Sequence, residues 1–298
     1  MTLKIDEKRL FDLCHSVLKR AATGISDDCA KLLRDAYERE RLDSAREMIA
    51  TMIKNAEMAR SMGRSVCQSP GYPAAYVKLG SEFTLNCDVK KVLSNVISSI
   101  TKEGYLRPSM VHPISRKNTG DNSGVNVPSV EVDLDHKSEF LEVILSLKGC
   151  GAELFGAAKV FTPAQIGQGG AGVKRFILET IINASGGPCP PTAIGVGIGG
   201  QIHQAASLSR RAVSTRRWDD LNPDPEFAAW ESELLSTANM LGIGPSGIGG
   251  DTTALAVKVE YAYTHTAILP VVVNFHCWVA RRARGRIYKD GSVEVLSW

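Results

Sequence analysis

Hydrophobic positions recur with helical spacing in the first part of the chain. From Ser26 to Gly63 the pattern predicts one long helix or two, with Ser26 as N-cap, acidic residues in the first turn and Gly63 as the stop. Apolar residues at positions 48, 49, 52, 53 and 56 share one face, which indicates a buried stripe or a contact with a partner helix. Another helix is predicted from Asp88 to Lys102, after a short strand near 74–79.

Alternating and β-branched apolar residues predict strands further along the chain, with helical patterns between them. The predicted strands are 127–134, 140–147, 193–198, 254–261, 270–274 and 285–295. The predicted helices are 173–184, 201–214 and 226–241. This mixture predicts an α/β (mixed α+β) fold, with a helical N-terminal region packed on a mixed-sheet core. We expect one domain over residues 1–298, in which 1–63 is mainly helical and 64–298 forms the α/β core.

Glycine-rich segments interrupt these patterns. The stretches 185–191 and 242–250 are too short and too apolar at their flanks for linkers, so they are predicted to be site loops. A further run, Gly195-Val-Gly-Ile-Gly-Gly200, follows a predicted strand and opens a helix, as phosphate-binding loops do. It lacks the Gly-x-Gly-x-x-Gly spacing, and no Lys-Ser/Thr follows it. Close packing of strand against helix is therefore favoured over nucleotide binding.

Composition adds limits on the class of protein. With 298 residues and 44% hydrophobic side chains, the chain can bury a sizeable core. A net charge of +3 gives no indication of a nucleic-acid or membrane partner. The basic run from Arg281 to Arg286 is predicted to be a solvated strand edge, in preference to an anion site. No apolar stretch approaches the ~20 residues that cross a bilayer, and the first ten residues lack a signal core, so we expect a cytoplasmic protein.

The cysteines are the residues most suggestive of chemistry. All seven are scattered along the chain, unlike those of small disulfide scaffolds. Cys67 lies in Val-Cys-Gln-Ser-Pro-Gly, Cys189 between two prolines, and Cys277 in Phe-His-Cys-Trp. Flanking prolines fix the backbone and aim the side chain, and loop thiolates bind soft metals. Because no zinc-type Cys-x-x-Cys pair occurs, metal ligation, nucleophilic catalysis and simple burial all stay open.

Several motifs, taken together, carry a family resemblance. They are Cys67-Gln68, Asn118-Thr-Gly120 with Asn126-Val-Pro128, Lys148-Gly-Cys-Gly-Ala-Glu153, Cys189-Pro-Pro191, Leu241-Gly-Ile-Gly-Pro245 and Cys277-Trp-Val-Ala-Arg-Arg282. In this order and spacing the chain resembles the class I fumarase / L(+)-tartrate dehydratase α-subunit family, over about residues 27–292. The resemblance implies one α-type domain of an iron–sulfur hydro-lyase, with residues 64–298 as its cluster-binding core.

The resemblance implies a cofactor and a partner. Cys67, Cys189 and Cys277 match the cysteines that hold a [4Fe–4S] cluster, and the iron left without a protein ligand can act as a Lewis acid on a substrate hydroxyl. The implied reaction is the reversible dehydration of a small hydroxy acid. A β subunit would supply the base that removes the carbon-bound proton, so activity is expected only with that subunit.

Substrate contacts also carry over by position. Arg107 matches the family arginine forty positions after the first cysteine and suits a carboxylate, the alternative being a surface arginine before Pro108. His265 matches a histidine twelve positions before the last cluster cysteine, although a lone histidine after a strand is usually structural. The other implied substrate contacts are Gln68, Lys148, Gly149 and Gly151.

One departure from the family falls at this site. Family members read Cys-Gln-Asp-Thr-Gly, whereas this chain reads Cys67-Gln68-Ser69-Pro70-Gly71. Ser69 takes a catalytic position, but a hydroxyl cannot exchange a proton near neutral pH as a carboxylate does. An altered substrate is therefore predicted. The alternatives are a non-catalytic or regulatory iron–sulfur relative, and a zinc or nucleotide-binding protein with a chance likeness.

Overall fold

A computed structural model describes residues 2–298, and these residues form two compact units. The first comprises the chain up to Asp27, Asn55–Lys148 and Val279–Trp298, and the second comprises Asp28–Lys54 and Gly149–Trp278. The first unit holds a five-stranded sheet and a two-stranded sheet of residues 3–5 and 83–85, the second unit holds a four-stranded sheet, and each unit has its own apolar core. The single domain expected over 1–298 stays a prediction.

Helices and strands alternate through most of the chain. The helices are α1 (Glu7–Ala22), α2 (Asp27–Arg39), α3 (Asp43–Met62), α4 (Val89–Lys102), α5 (Cys150–Leu154), α6 (Pro163–Ile166), α7 (Ala171–Ala184), α8 (Ile202–Thr215) and α9 (Pro225–Met240). The strands are β1 (Leu3–Ile5), β2 (Tyr72–Leu79), β3 (Phe83–Leu85), β4 (Ser129–Leu134), β5 (Phe140–Lys148), β6 (Ala157–Phe161), β7 (Thr192–Gly199), β8 (Ala254–Ala262), β9 (Leu269–His276), β10 (Arg281–Tyr288) and β11 (Val293–Leu296). The α/β fold class is confirmed. Among residues 2–298, no helix is both long enough and apolar enough to cross a membrane.

The first unit is built on a five-stranded mixed sheet. Its order is β11-β10-β5-β2-β4, with β5 antiparallel to both neighbours and β4 parallel to β2. Alternate residues of β5, from Leu141 to Leu147, point to one face and form an apolar core with α1 and α4. The predicted helix near 88–102 is confirmed, since the Asp88 carboxylate caps α4 by accepting the Lys91 N–H at 3.1 Å.

The second unit is built on a four-stranded sheet with helices on both faces. Its order is β6-β9-β7-β8. Helix α8 packs against the face of β7 that carries Gly195 and Gly197, where a Cβ would lie within 2.0 Å of α8 backbone oxygens. On the other face Ile194 and Val196 join the core formed with α7 and α9. Gly195 and Gly197 therefore serve close strand–helix packing, as predicted.

Two predictions near the C-terminus are wrong. The single strand expected over 285–295 is a hairpin of β10 and β11, because Asp290-Gly291 supplies a turn in which Gly291 has a φ of +84°. The solvated strand edge predicted for the basic run is also wrong. Strand β10 lies between β5 and β11, and its first two residues, Arg281 and Arg282, are buried.

Candidate active site

Three predicted site residues lie on the loop between α3 and β2 in the first unit. Cys67 and Ser69 are half-buried, and Gln68 is exposed. Gly71 ends the loop with a φ of +78°, and a Cβ there would lie 2.9 Å from three backbone atoms at the end of β5. Only glycine lets the chain run this close with that backbone conformation. The loop therefore lies directly beside Lys148, the last residue of β5 and a predicted substrate contact.

Hydrogen bonds hold this loop in place. The Asn55 amide donates to the Val66 carbonyl at 3.0 Å, next to Cys67. A guanidinium N–H of Arg281 donates to the Ser69 carbonyl. Arg281 is only 1% exposed, so a buried cationic side chain fixes the backbone at Ser69. The sequence interpretation missed this role of Arg281, although the residue falls within the matched Cys277–Arg282 motif.

Arg107 begins a long loop that follows α4. Its side chain is exposed, and within residues 2–298 its guanidinium forms no hydrogen bond or ion pair. The Ser65 hydroxyl donates to the Tyr105 carbonyl at 2.6 Å. This bond ties the start of the Cys67 loop to the segment that leads into Arg107.

The other two predicted cluster ligands lie in the second unit. Cys189 is exposed on a turn, with a φ of +58° and its N–H bonded to the Gly186 carbonyl at 3.1 Å. Cys277 directly follows β9 and is 8% exposed. The Trp278 N–H points to the Cys189 carbonyl at 3.5 Å, a long hydrogen bond. The loops that carry Cys189 and Cys277 are therefore neighbours.

Several buried side chains hold the backbone around Cys277 in place. The Cys29 thiol donates to the Trp278 carbonyl at 3.2 Å. The His276 Nδ1 lies 3.2 Å from the Cys277 carbonyl, and since a carbonyl only accepts, Nδ1 carries the proton. The Trp218 ring packs edge-on against His276 at 5.4 Å between centroids. Both peptide carbonyls after β9 are therefore fixed, by a histidine and by a cysteine to which the sequence assigned no role.

The two predicted glycine contacts begin α5. Gly149 is the N-cap of α5 and is buried. A Cβ on Gly151 would lie 2.7 Å from the Gly187 carbonyl oxygen, two residues before Cys189. A side chain at 151 would thus collide with the loop that carries Cys189. Substrate contact by either glycine stays a prediction.

His265 is exposed on the loop between β8 and β9. Its Nδ1 accepts the Ala267 N–H at 3.2 Å, so Nδ1 is unprotonated in the neutral ring and Nε2 carries the proton. The Thr264 hydroxyl fixes the same loop by donating to the Gly200 carbonyl at 3.0 Å. The imidazole can therefore donate a hydrogen bond through Nε2. No other predicted site residue in the described chain is hydrogen-bonded to it.

The predicted residues fall into two groups, one in each unit. The first unit holds Cys67, Gln68, Ser69, Arg107 and Lys148, and the second holds Gly149, Gly151, Cys189, His265 and Cys277. None of the seven cysteines forms a disulfide. Over residues 2–298, no three His, Cys, Asp or Glu side chains are grouped so that they could hold a metal ion. Iron–sulfur clusters are held by cysteine thiolates, and ligation by Cys67, Cys189 and Cys277 stays a prediction.

Comparison with known proteins identifies the family. The model of the fumarate hydratase (Fumerase) family matches residues 12–286. A provisionally named L(+)-tartrate dehydratase subunit alpha from Methanocaldococcus jannaschii is 35% identical, over 96% of this chain and 100% of its own length. The L(+)-tartrate dehydratase alpha subunits of Escherichia coli K12 and Shigella sonnei are each 31% identical, over 97% of this chain and 94% of theirs. This chain therefore belongs to the fumarate hydratase family, in its class I fumarase and L(+)-tartrate dehydratase α-subunit branch.

Proposed function

We propose that this chain is the cluster-bearing α subunit of a hydro-lyase that reversibly dehydrates a small hydroxy acid. The observation that carries the proposal is the pairing of the Cys189 and Cys277 loops through the Trp278 N–H. Cysteines on neighbouring loops with fixed backbones can present soft thiolate ligands to one cluster. The α-subunit names of the relatives support a β subunit as partner, which would supply the base. A cytoplasmic location is part of this proposal.

The proposed cofactor is a [4Fe–4S] cluster held by Cys67, Cys189 and Cys277. When bound, such a cluster supplies a Lewis acid for the departing hydroxyl, because three thiolates leave one iron without a protein ligand. The chain contributes thiols on loops whose backbones are fixed. Gly71 and Asn55 fix the loop of Cys67, and Cys29 fixes the peptide after Cys277.

Substrate binding is assigned to side chains that can recognise an acid. The exposed guanidinium of Arg107 can pair with a carboxylate through two parallel hydrogen bonds. The Gln68 amide and the Nε2–H of His265 can donate to carboxylate or hydroxyl oxygens. Lys148, Gly149 and Gly151 complete the proposed substrate contacts. Lys148 is buried beside the Cys67 loop, and an ammonium there would suit an anionic substrate.

Ser69 sets the limit on substrate. Its carbonyl is held by Arg281, so its hydroxyl is presented on a fixed backbone, yet it can only share hydrogen bonds. Proton delivery to the leaving hydroxyl then falls to His265 or to the β subunit. Since general acid–base help is worth typically 10²–10⁴-fold, we expect fumarate hydration at least ~100-fold slower than in a relative with aspartate. A bulkier or differently substituted acid is the proposed substrate, because serine is smaller than aspartate and uncharged.

The experiment uses the chain co-expressed with its β subunit and purified anaerobically. Turnover is screened over fumarate, L(+)-tartrate and a panel of substituted hydroxy acids, for the wild type and for Ser69→Asp. Turnover of a substituted acid, with slow fumarate hydration that Ser69→Asp improves, is the expected result. Fast fumarate hydration by the wild type that Ser69→Asp leaves unimproved would show that Ser69 is not the determinant of substrate. An intact cluster without turnover of any acid would favour the second candidate, a non-catalytic or regulatory iron–sulfur relative, which the serine at position 69 already favours.

Arg107→Lys tests the carboxylate contact within the same screen. An ammonium cannot reproduce the bidentate pairing, and a hydrogen bond to a charged group is worth about 1.5–3 kcal/mol, so KM should rise about 10-fold or more. Arg116→Lys, at an exposed arginine of the same loop, is the matched control and should leave KM unchanged. Equal KM values for the two variants would return Arg107 to the role of a surface arginine.

A further inference from the structure

The loop that carries Arg107 is ordered without belonging to a sheet. The Thr119 N–H donates to the Met110 carbonyl at 3.1 Å, and the His112 N–H donates to the Lys117 carbonyl at 2.9 Å. Residues 110–119 thus form a small hairpin that is largely exposed. Such a hairpin has little core of its own, so its position depends on what anchors its base.

Asn122 lies at that base and is almost completely buried, with a φ of +60°. Its side-chain oxygen accepts the N–H groups of Ser109 at 2.7 Å and Met110 at 3.2 Å. Its side-chain nitrogen donates to the Thr101 hydroxyl and to the Arg107 carbonyl, both at 3.0 Å. An asparagine amide has two donor hydrogens and an oxygen that accepts two bonds, so all of its hydrogen-bonding capacity is used.

These four bonds bear directly on Arg107. One bond holds the Arg107 carbonyl, and two hold the N–H groups two and three residues further along the chain. The fourth bond ties Asn122 to Thr101 in the last turn of α4. Pro108 restricts Arg107 further, since the residue before a proline is confined to extended conformations. The backbone from which the guanidinium extends is therefore fixed from both sides.

A second anchor joins the same loop to the same helix without touching Arg107. The Ser98 hydroxyl donates to the Asp121 carboxylate at 2.9 Å. The other carboxylate oxygen accepts the N–H and the hydroxyl of Ser123, and the hydroxyl hydrogen bond lowers the pKa of Asp121. This anchor holds residues 121–123, so it provides an internal comparison for Asn122.

We infer that Asn122 is a positioning residue that aims Arg107 at a substrate carboxylate. The inference rests on the proposed function of Arg107. A bidentate pair needs both nitrogens in register with both carboxylate oxygens, so a shift of the Arg107 backbone weakens substrate binding. Removal of the Asn122 amide leaves one carbonyl and two N–H groups of the Arg107 segment without their partner, and that segment is then free to shift.

The test compares Asn122→Ala, Asn122→Asp and Ser98→Ala in the reconstituted holoenzyme. Hydrogen exchange at the Ser109 and Met110 amides should speed up in Asn122→Ala but not in Asn122→Asp, whose carboxylate still accepts both. KM should rise about 10-fold or more in Asn122→Ala, with kcat much less affected, as expected when a substrate-binding group is misplaced. Asn122→Asp cannot donate to the Arg107 carbonyl, so its KM should be intermediate. Ser98→Ala should keep the wild-type KM.

Succinate provides a readout that needs no turnover, because it carries two carboxylates and no hydroxyl to eliminate. Calorimetric titration should give a dissociation constant raised about 10-fold in Asn122→Ala and unchanged in Ser98→Ala. Wild-type succinate affinity in Asn122→Ala, with faster exchange at Ser109 and Met110, would overturn the inference and leave Asn122 purely structural. A wild type that neither binds succinate nor turns over any acid would refute the proposed function itself. If Asn122→Ala does not fold, Asn122→Asp decides through succinate affinity alone. A raised dissociation constant supports the inference, and a wild-type dissociation constant overturns it.

Discussion

Replacing Gly71 by alanine perturbs the Cys67 loop at its tightest point. Gly71 has a φ of +78°, and an added Cβ would meet three backbone atoms at the end of β5 at 2.9 Å. Those atoms belong to a central strand of the sheet and cannot move aside as the end of a flexible side chain can. The loop itself must shift, and Cys67 must shift with it.

Two costs add up at this position. A left-handed backbone costs a residue with a Cβ roughly 1–2 kcal/mol. Overpacking against fixed neighbours costs typically about 1–3 kcal/mol more. Gly71→Ala should therefore lower the free energy of unfolding by about 2–5 kcal/mol. Gly63 begins the same connection with a φ of +59° and has nothing within 4 Å of an added Cβ, so Gly63→Ala should show only the first cost.

The two variants are compared by urea unfolding and by iron content after anaerobic preparation. Gly71→Ala should be less stable than Gly63→Ala by the overpacking cost, and it should hold less iron because the Cys67 thiol is displaced. Gly63→Ala should hold as much iron as the wild type. Equal stability losses in the two variants would refute the close approach of loop and strand. Equal iron contents, with unequal stabilities, would refute the link between this approach and the position of Cys67.

Two further predictions concern charged groups of the second unit. Glu231→Ala should lower the free energy of unfolding by about 3–5 kcal/mol, because it removes a buried carboxylate that lies 2.7 Å from the half-buried Arg216 guanidinium. Asp12→Ala, in an exposed pair of the first unit, should cost less than about 1 kcal/mol, and urea unfolding checks both. The Arg41 guanidinium lowers the pKa of Asp251 from 3.8 to about 2, so Arg41→Ala should raise this pKa toward 3.8 in an NMR titration. Because the folded-state pKa is lowered, the contribution of this pair to stability is present above about pH 4 and is lost as the pH falls through about 2. An unchanged Asp251 pKa in Arg41→Ala would contradict the assignment of this shift to Arg41.

Local patterns predicted most of the regular elements. A capping aspartate and an apolar stripe predicted helix α4. The glycines of β7 predicted that a helix packs closely on that strand. Local sequence patterns could not predict contacts between residues that are far apart in the sequence. Cys189 and Cys277 are far apart in the sequence, and only the folded second unit places the Trp278 N–H against the Cys189 carbonyl.

The sequence patterns also failed to predict which charged and polar side chains are buried. Arg281 starts a basic run, and such runs usually lie on solvated surfaces. Its burial follows from the place of β10 between β5 and β11, which the Asp290-Gly291 turn makes possible. Asn122 was missed for a related reason, because a polar residue in a polar loop gives no signal until all four of its hydrogen bonds are counted.

The central claim is that three thiols of this chain hold an iron–sulfur cluster. Iron and sulfide analysis, with a visible absorption spectrum, on anaerobically prepared Cys67→Ser, Cys189→Ser, Cys277→Ser and Cys150→Ser tests it most directly. Cys150 is an exposed cysteine outside the proposed ligand set and is the control. We predict that each of the first three variants loses most of its iron and the associated visible absorption, while Cys150→Ser keeps both. Full iron retention in Cys189→Ser would contradict the claim.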